Sequence, residues 1–291
     1  MLDFLSRPDG GTYVIAELGC NHLGDLEAAR RMIVKAAAAG CDAVKIQKRT
    51  PEVAVPLEQQ TKNYDTPWGP MSYLDYRYRM ELTDLEYSMI AFYAKQEGID
   101  WFASVWDTPS VDFMEEFDPI CYKVPSACLT DTDLLKHIDA KGKPIILSTG
   151  MSEWEEIQEA VDCISVPLAI AHCTSTYPCP PEELNLEVMS LLMEYYKAPS
   201  KIGFSSHEDG TDATIAAVAL GAEFVERHFT LDKDEWGSDQ KFSLEPEEMA
   251  SLVQRIRYVE KAIGDGVKRV YDSEMPAMQK LRRVHAAQPV A

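Results

Sequence analysis

The sequence predicts an α/β fold, a (β/α)8 TIM barrel formed by the 291-residue chain, on three observations. Eight short apolar segments alternate with longer amphipathic ones, a helix pattern follows nearly every apolar segment, and no GxGxxG motif follows the first. This alternation indicates parallel strands joined by helical crossovers. Eight such units suit a closed barrel better than an open doubly wound sheet, and the missing glycine motif disfavours a dinucleotide-binding fold.

The strands and helices follow in order from local patterns. The predicted strands are 13–16, 43–47, 101–106, 119–124, 144–149, 168–173, 201–206 and 224–230. Residues 26–40 have apolar side chains at helical spacing and end at Gly40, which is typical of a helix stop. Ser152 and Glu155 have the spacing of a capping box at the start of a later helix.

Two segments interrupt this alternation. Residues 48–80 contain four prolines, and we predict a long irregular loop over one end of the barrel. The charged tail at about 267–291 is predicted to add no second domain, so that 1–291 is one catalytic domain.

Composition narrows the function classes. The formal net charge is -20, which disfavours nucleic acid and anionic membranes as partners but leaves room for an anionic substrate in a locally basic cleft. No apolar run reaches about 18 residues, and the first residues lack the apolar core of a signal peptide. We therefore expect a cytoplasmic protein with no membrane segment.

Two lysines stand inside apolar strand segments, Lys45 in AVKIQ and Lys123 in YKVPS. A buried lysine is costly unless it is paired, so each serves either a function or a structural ion pair. In a TIM barrel both would face the cavity at the carboxyl ends of the strands, where reacting groups lie. Ser148 and Ser205 lie at the ends of two other strands and would add hydroxyl donors to a phosphate.

Histidines end the last two predicted strands. His207 and His228 would lie side by side, where two imidazoles and water or a carboxylate suit a divalent cation such as Mn2+, with Mg2+ or Co2+ as alternatives. A structural role is the alternative for each histidine, and His172 in AIAHC fits either role. The residues themselves leave an aldolase, a phosphosugar isomerase and a phosphoenolpyruvate-using synthase open.

Seven ordered motifs resemble the sialic acid synthase (N-acetylneuraminate synthase) family over residues 12–283. They are VIAELGCNHLGD, DAVKIQ, YKVPS, ILSTGMS, HCTSTYP, IGFSSHEDG and ERHFTLD, the last followed by WGSDQ and SLEP. The resemblance implies that phosphoenolpyruvate attacks an amino-sugar aldehyde, such as N-acetylmannosamine, and yields a nonulosonic acid and phosphate. It also suggests a homodimer.

The same resemblance implies a role for each matching residue. Manganese would be held by His207 and His228. The phosphate and carboxylate of phosphoenolpyruvate would be bound by Lys45, Lys123, Ser126, Ser148 and Ser205. Gln47 and Tyr177 would line the same pocket, with Ser175 in the phosphate loop. Glu17 and Asp239 would contact sugar hydroxyls or water on the metal.

Several positions depart from the family pattern. Cys128 stands where the family usually has an acidic residue, Ser175 where it often has Asn, and Gln240 where it usually has His. We expect no C-terminal antifreeze-like domain, whose arginine contacts the sugar in many members. Sugar capping is then expected from the loop at 48–80, through Tyr64, Trp68, Tyr73, Tyr76 and Arg77. A packing surface or a dimer contact is the alternative for that loop.

Three functions remain open at this point. The first is synthesis of a nonulosonic acid, and the second is the same chemistry retuned to another aldose. The third is a non-catalytic barrel that binds sugar or metal. Release of phosphate from phosphoenolpyruvate separates the third function from the first two.

Overall fold

The computed structural model describes residues 4–196 and 200–284. Within these ranges the chain forms ten strands. They are β1 (Tyr13–Gly19), β2 (Ala43–Lys48), β3 (Asn63–Thr66), β4 (Gly69–Ser72), β5 (Asp100–Val105), β6 (Tyr122–Val124), β7 (Ile145–Ser148), β8 (Leu168–Cys173), β9 (Lys201–Ser206) and β10 (Phe224–His228). Eight of them close a parallel barrel in the order β1-β10-β9-β8-β7-β6-β5-β2, which confirms the predicted fold.

Helices connect the barrel strands and cover the outside of the barrel. They are α1 (Leu26–Ala38), α2 (Pro51–Ala54), α3 (Leu57–Gln60), α4 (Tyr73–Met80), α5 (Asp84–Glu97), α6 (Thr108–Glu115), α7 (Thr132–Asp139), α8 (Trp154–Asp162), α9 (Pro181–Leu184), α10 (Glu187–Tyr195), α11 (Asp212–Ala219), α12 (Pro246–Ile263) and α13 (Met275–Leu281). The main apolar core lies between these helices and the strands. None of the helices in the described ranges is long and apolar enough to cross a membrane.

The interior of the barrel has an apolar layer below a polar one. Side chains two residues apart on a strand point to the same side, so an inward apolar residue is followed by an inward polar one. Ile15 precedes Glu17 in this way, and Phe224 precedes Glu226. A separate apolar cluster fills the lower layer and includes Ile15, Ala43, Phe102, Ile146 and Phe224. The polar layer is thereby open only toward the carboxyl ends of the strands.

The segment predicted as an irregular loop is instead folded. Residues 48–80 contain the short helices α2 and α3, the antiparallel β3–β4 hairpin, and α4. Ser72 caps α4 by accepting a hydrogen bond from the Asp75 backbone N–H at 3.1 Å. The loop prediction was wrong because prolines begin these elements or stand beside them, rather than exclude them.

One smaller prediction is corrected at the start of a helix. The capping box expected at Ser152 and Glu155 lies one residue later, where the Glu153 N–H donates to the Glu156 carboxylate at 2.9 Å. The tail predicted at 267–291 includes helix α13, and its last residues, 285–291, lie outside the described residues.

Candidate active site at the carboxyl ends of the strands

A cavity of about 420 Å³ opens above the polar layer of the barrel. The register brings its residues together, since Glu17 on β1 lies level with Lys45 on β2 and with His228 on β10. The twelve residues predicted to bind phosphoenolpyruvate, the metal or the sugar hydroxyls all line this cavity. These residues are Glu17, Lys45, Gln47, Lys123, Ser126, Ser148, Ser175, Tyr177, Ser205, His207, His228 and Asp239.

The centre of the site is a buried charge cluster around Glu226. Its carboxylate lies 3.5 Å from the Nζ atom of Lys45 and 3.2 Å from that of Lys123, and accepts a hydrogen bond from Ser205 Oγ at 3.2 Å. Lys45 also lies 2.7 Å from Glu17. All four charged side chains are almost fully buried, so both lysines are paired with carboxylates before any ligand enters.

These contacts shift the pKa values of the two lysines in opposite directions. Burial alone would lower the pKa of Lys45, but Glu17 and Glu226 outweigh it and hold that pKa above its ordinary value. Burial lowers the pKa of Lys123, because Glu226 compensates only in part and Lys45 adds to the lowering. Burial would raise the pKa of Glu226, but the two lysines lower it below the usual value. A further anion would therefore stabilise the charged form of Lys123 more than that of Lys45.

A cradle of hydroxyl groups lies beside Lys123. Ser126 Oγ accepts a hydrogen bond from the Gly150 N–H at 3.0 Å, whereas the buried Oγ atoms of Ser148 and Ser175 have no hydrogen-bond partner among the described residues. A Cβ atom on Gly150 would lie 2.4 Å from Ser175 Oγ and 2.8 Å from Ser126 Oγ. Buried hydroxyls without partners are uncommon in folded proteins, and here they are positioned to bind a polar ligand.

Two histidines on adjacent strands form the next side of the cavity. His207 and His228 have ring centroids 5.3 Å apart. His207 Nδ1 lies 2.8 Å from the Thr174 carbonyl oxygen, which only accepts, so the proton is on Nδ1 and Nε2 carries a lone pair. Burial and the neighbouring His228 lower the pKa of His207 to about 3, which keeps its ring neutral.

The histidine pair fits a metal ion, although it does not form a complete set of ligands. His228 Nδ1 is buried without a hydrogen-bond partner and lies 3.9 Å from Asp239 Oδ2. A neutral imidazole with an unpaired ring nitrogen next to a carboxylate is a typical donor set for a divalent cation. In residues 4–196 and 200–284, no three His, Cys, Asp or Glu side chains converge on one point at ligand distance.

The side of the cavity formed by β1, β2 and α4 carries two arginines that the sequence reading did not assign together. Arg49 follows β2, stacks on the Trp106 ring at 3.5 Å and donates from Nη2 to Gln47 Oε1 at 2.6 Å. Arg77 on α4 is 6% exposed. Both arginines line the cavity. Arg77 was predicted as a sugar-capping residue, whereas Arg49 has no role assigned from the sequence.

An aromatic cluster closes over the outer edge of this side of the cavity. Tyr64 of the β3–β4 hairpin packs on Tyr76 at 4.6 Å between ring centroids. Trp236, from the loop after β10, lies 5.8 Å from Tyr76 and 5.7 Å from Trp68. Tyr73 lies 5.5 Å from Tyr64 and also lines the cavity. Tyr64 and Trp68 thus pack against other side chains, whereas Tyr73 and Arg77 line the cavity.

Comparison with known proteins identifies the family. The NeuB family profile matches residues 32–268. The N,N'-diacetyllegionaminic acid synthase of Campylobacter jejuni is 36% identical over 280 residues, covering 94% of this chain and 83% of that protein. The chain belongs to the NeuB family.

Two further relatives are consistent with that identification. The human N-acetylneuraminate-9-phosphate synthase is 37% identical over 276 residues, covering 92% of this chain and 76% of that protein. The crystal structure of an N-acetylneuraminic acid synthetase from Leptospira borgpetersenii, in complex with citrate, has a TM-score of 0.82 and 30% identity, and covers 94% of this chain and 93% of its own. The resemblance stated from the motifs is confirmed, and the relatives of this NeuB protein are nonulosonic acid synthases.

Some candidate positions of this NeuB protein lie outside the cavity. His172 is structural, since its Nε2 lies 2.8 Å from the Leu184 carbonyl oxygen and its ring stacks on Phe204. Cys128 is buried behind Ser126, and its Sγ lies 3.8 Å from the Trp106 carbonyl oxygen. Burial raises the pKa of the Cys128 thiol to about 12, so that thiol is not an acid or base at neutral pH.

Glu226 is the main functional residue that the sequence reading did not assign. It lies at the centre of the cavity, between both lysines. The signal was present, because Glu226 is a charged residue inside the apolar strand FVERHFT, just as the lysines are in theirs. The argument from the cost of burying a charge applies equally to all three residues.

Proposed function

We propose that this NeuB protein condenses phosphoenolpyruvate with the open-chain aldehyde of an amino sugar, giving a nonulosonic acid and phosphate. The observation that carries the proposal is the cavity itself. In it the paired lysines and Glu226 adjoin a cradle of unpartnered serine hydroxyls and a pair of histidines. Phosphoenolpyruvate brings two anionic groups, a phosphate and a carboxylate, and this arrangement can bind both.

The phosphate of phosphoenolpyruvate is assigned to the cradle. Ser148 and Ser175 offer hydroxyls without partners, and Lys123 adds a positive charge with a lowered pKa. The carboxylate is assigned to Lys45 and Ser205. Because Glu226 holds both ammonium groups in fixed positions, the substrate meets donors that are already oriented.

The metal is assigned to His207 and His228, with Asp239 nearby, and Mn2+ is the ion proposed. When bound, such an ion polarises the aldehyde carbonyl and stabilises the alkoxide that forms there. Thr174 holds the His207 ring in the tautomer that presents a lone pair at Nε2. Lys45 and Gln47 orient the Glu17 carboxylate, through a 2.7 Å ion pair and a 3.1 Å hydrogen bond.

The reaction balances with these groups. C3 of phosphoenolpyruvate attacks the aldehyde carbon to form the new C–C bond, and the aldehyde oxygen takes up a proton. Water adds at C2 and gives its proton to a carboxylate, for which Glu17 and Asp239 are the candidates on this side of the cavity. The carboxylate passes this proton on, which replaces the proton taken up by the aldehyde oxygen. Cleavage of the bond between C2 and the phosphate oxygen then releases phosphate, which takes up the proton of the C2 hydroxyl group and leaves the 2-keto acid.

The test is release of phosphate from phosphoenolpyruvate with manganese present. The acceptor panel contains N-acetylmannosamine, its 6-phosphate, mannose, arabinose and diacetamido hexoses. We expect release with at least one amino sugar, and a fall of about 10²- to 10³-fold in kcat/KM for Lys123→Met, the loss typical of one preorganised donor to a developing charge.

Circular dichroism of Lys123→Met provides the control for folding. Substitution of the exposed Lys136 on α7 by Met serves as the matched control and should leave the rate unchanged. A folded, metal-binding protein that releases no phosphate with any of these acceptors would contradict the proposal.

A further inference from the structure

Arg77 is a buried cation whose charge no carboxylate neutralises directly. Its side chain lines the cavity and is 94% buried, since its exposed fraction is 6%. Within the described ranges no carboxylate oxygen lies within the 4.0 Å of an ion pair. The nearest polar contact that it makes there is from Nη1 to the Cys20 sulfur, at 4.0 Å. A thiol is a weak acceptor, and no carboxylate of the described residues pairs with the guanidinium.

A structural arginine elsewhere in the barrel shows how a carboxylate neutralises such a charge, although its Nε has no hydrogen-bond partner among the described residues. Arg227 is also buried, and its Nη1 lies 3.1 Å from the Glu208 carboxylate. The same guanidinium donates to the Gly210 carbonyl oxygen at 2.7 Å and to that of Glu208 at 2.9 Å. Arg77 has no such oxygen partners, although burying a charge has the same cost in both places.

The carboxylate that senses Arg77 most directly is already engaged. Glu81 lies one helical turn after Arg77. Burial raises the pKa of Glu81 to about 7, although Lys48 and, more weakly, Arg77 oppose that rise. Its Oε2 pairs with Lys48 Nζ at 3.1 Å. The Arg49 backbone N–H lies 3.3 Å from the same oxygen. Glu81 therefore faces the β2 end, away from any pairing with the Arg77 guanidinium.

Arg49 provides a second unsatisfied guanidinium on the same side. Its Nη2 donates to Gln47 Oε1, but its buried Nε has no hydrogen-bond partner among the described residues. Cys20 lies between the two arginines, since its Sγ lies 3.5 Å from Gln47 Oε1 and 4.0 Å from Arg77 Nη1. We call Arg49 and Arg77 together the arginine wall.

The arginine wall faces the serine cradle across the cavity. Arg49 follows β2 and Ser175 follows β8, and these strands are four places apart in the closed order of eight. Ser126 follows β6 and Ser148 ends β7, which are two and three places from β2, so the cradle begins near Lys123 and extends away from Arg49 to the far side of the barrel. A second anionic group is needed to satisfy the arginine wall, and the other substrate is the molecule that can bring it.

We infer that the arginine wall is an oxyanion subsite for the acceptor, and that the acceptor aldose carries a phosphate or carboxylate group remote from its aldehyde. This inference rests on the proposed function for the identity of the acceptor. Planar guanidinium groups bind such oxyanions with two parallel hydrogen bonds, and Tyr73 and Tyr76, each 5.7 Å from Arg77, hold that group in place. The subsite thus selects anionic acceptors over neutral ones.

The test compares three acceptors that differ only at the sixth carbon. They are N-acetylmannosamine, its 6-phosphate, and its 6-carboxylate (the uronic acid), each assayed for phosphate release from phosphoenolpyruvate. We expect kcat/KM to be higher for an anionic acceptor than for the neutral sugar by about 10- to 100-fold, the worth of one or two charge-assisted hydrogen bonds. The 6-phosphate and 6-carboxylate arms identify which oxyanion the wall prefers.

Variants locate the effect at the wall. Arg77→Met should remove most of the preference for the anionic acceptor, because kcat/KM falls more for the two anionic acceptors than for the neutral sugar. Arg77→Lys keeps the charge and should retain part of the preference. Arg79→Met is the matched control, because Arg79 is exposed on the same helix, stacks on Trp68 at 4.0 Å and does not line the cavity. Arg49→Gln provides an independent variant if Arg77→Met does not fold.

Binding separates this inference from the proposed function. Titration calorimetry of the neutral sugar and its two anionic forms, with wild type and Arg77→Met, needs no turnover. Tighter binding of an anionic form that Arg77→Met abolishes supports the subsite even if no acceptor releases phosphate. Equal kcat/KM and equal affinity for neutral and anionic acceptors in the wild-type protein would overturn it. So would a loss in Arg77→Met that is the same for all three acceptors.

Discussion

The two ends of this barrel differ in whether their buried polar groups have partners. At the amino ends of the strands, Asp42 pairs with Arg7 and Arg257 and accepts a hydrogen bond from the Val14 N–H at 2.8 Å. Arg257 also donates to the Thr12 carbonyl oxygen at 2.7 Å. Asp42, Arg7 and Arg257 each have a partner of opposite charge.

At the carboxyl ends, several buried atoms have no partner in the described parts of the chain. They are Arg49 Nε, Trp106 Nε1, Ser148 Oγ, Ser175 Oγ and His228 Nδ1, and all belong to residues that line the cavity. Unsatisfied polar atoms cost folding free energy, so this end is destabilised in the absence of ligand. We infer from this difference that the amino end contributes stability, whereas the carboxyl end keeps hydrogen-bond donors and acceptors available for substrates.

The largest effect that tests this division is at the metal site. His228→Ala should reduce metal-dependent phosphate release by about 10³-fold or more, because an ion stabilises the developing alkoxide by several kcal/mol. The free energy of unfolding should hardly change, since His228 Nδ1 makes no hydrogen bond in the described structure. Removal of metal by a chelator should abolish turnover, and added Mn2+ should restore it.

His172→Ala is the matched control for His228→Ala, because His172 is a structural histidine. That histidine bonds the Leu184 carbonyl oxygen, so its loss should lower stability and leave the affinity for Mn2+ unchanged. Calorimetric titration of Mn2+ and thermal unfolding of both variants separate the two roles. Full metal-dependent turnover in His228→Ala would remove the metal assignment.

An effect of intermediate size is expected at the amino end. Asp42→Ala leaves Arg7 and Arg257 without their shared carboxylate, and we expect the free energy of unfolding to fall by about 3 kcal/mol. The value of kcat/KM should stay the same at temperatures where the variant is folded. Denaturant unfolding and phosphate release measure the two quantities.

Asp212→Ala is the control for Asp42→Ala, because the Arg255–Asp212 pair is exposed and should contribute little to stability. A large loss of activity in folded Asp42→Ala would contradict the separation of the two ends.

The smallest effects are expected at two glycines, Gly150 and Gly203, where one substitution should affect substrate binding and the other stability. Gly150→Ala places a Cβ in the cradle, 2.4 Å from Ser175 Oγ, and should raise the KM for phosphoenolpyruvate by about tenfold, equivalent to the loss of one hydrogen bond. Gly203→Ala places a Cβ 2.5 Å from the Phe224 carbonyl oxygen and should instead cost about 1–3 kcal/mol of stability. Steady-state kinetics and thermal unfolding of the pair are the measurements. The comparison fails if both glycine variants lose stability and keep the same KM.

The barrel and the centre of the site were predictable because both follow from short-range patterns. Strand 168–173 and strand 201–206 were predicted with the bounds that the structure has. Lys45 and Lys123 were recognisable because a charge inside an apolar strand needs a reason. The alternation of side chains along a strand then placed both in one cavity.

The outer wall of the cavity was not predictable in the same way. The folding of residues 48–80 depends on contacts with Trp236, which is distant in sequence, and no local pattern reports that contact. The pairing of Glu81 with Lys48, which leaves Arg77 unneutralised, is likewise a tertiary feature. Cys128 was read from the family pattern as a change at a site position, and the structure turns its thiol away from the cavity.

The position of the β3–β4 hairpin and α4 has a consequence for how this enzyme can be altered. The groups assigned to bond making are on the barrel strands or directly after them, whereas the arginine and aromatic contacts come mostly from one insertion between β2 and β5. The aromatic side chains of the insertion contact the rest of the cavity rim at Trp236. Exchange of residues 51–80 together with Trp236 therefore offers a route to redirect acceptor choice in a single graft, without disturbing the reaction centre.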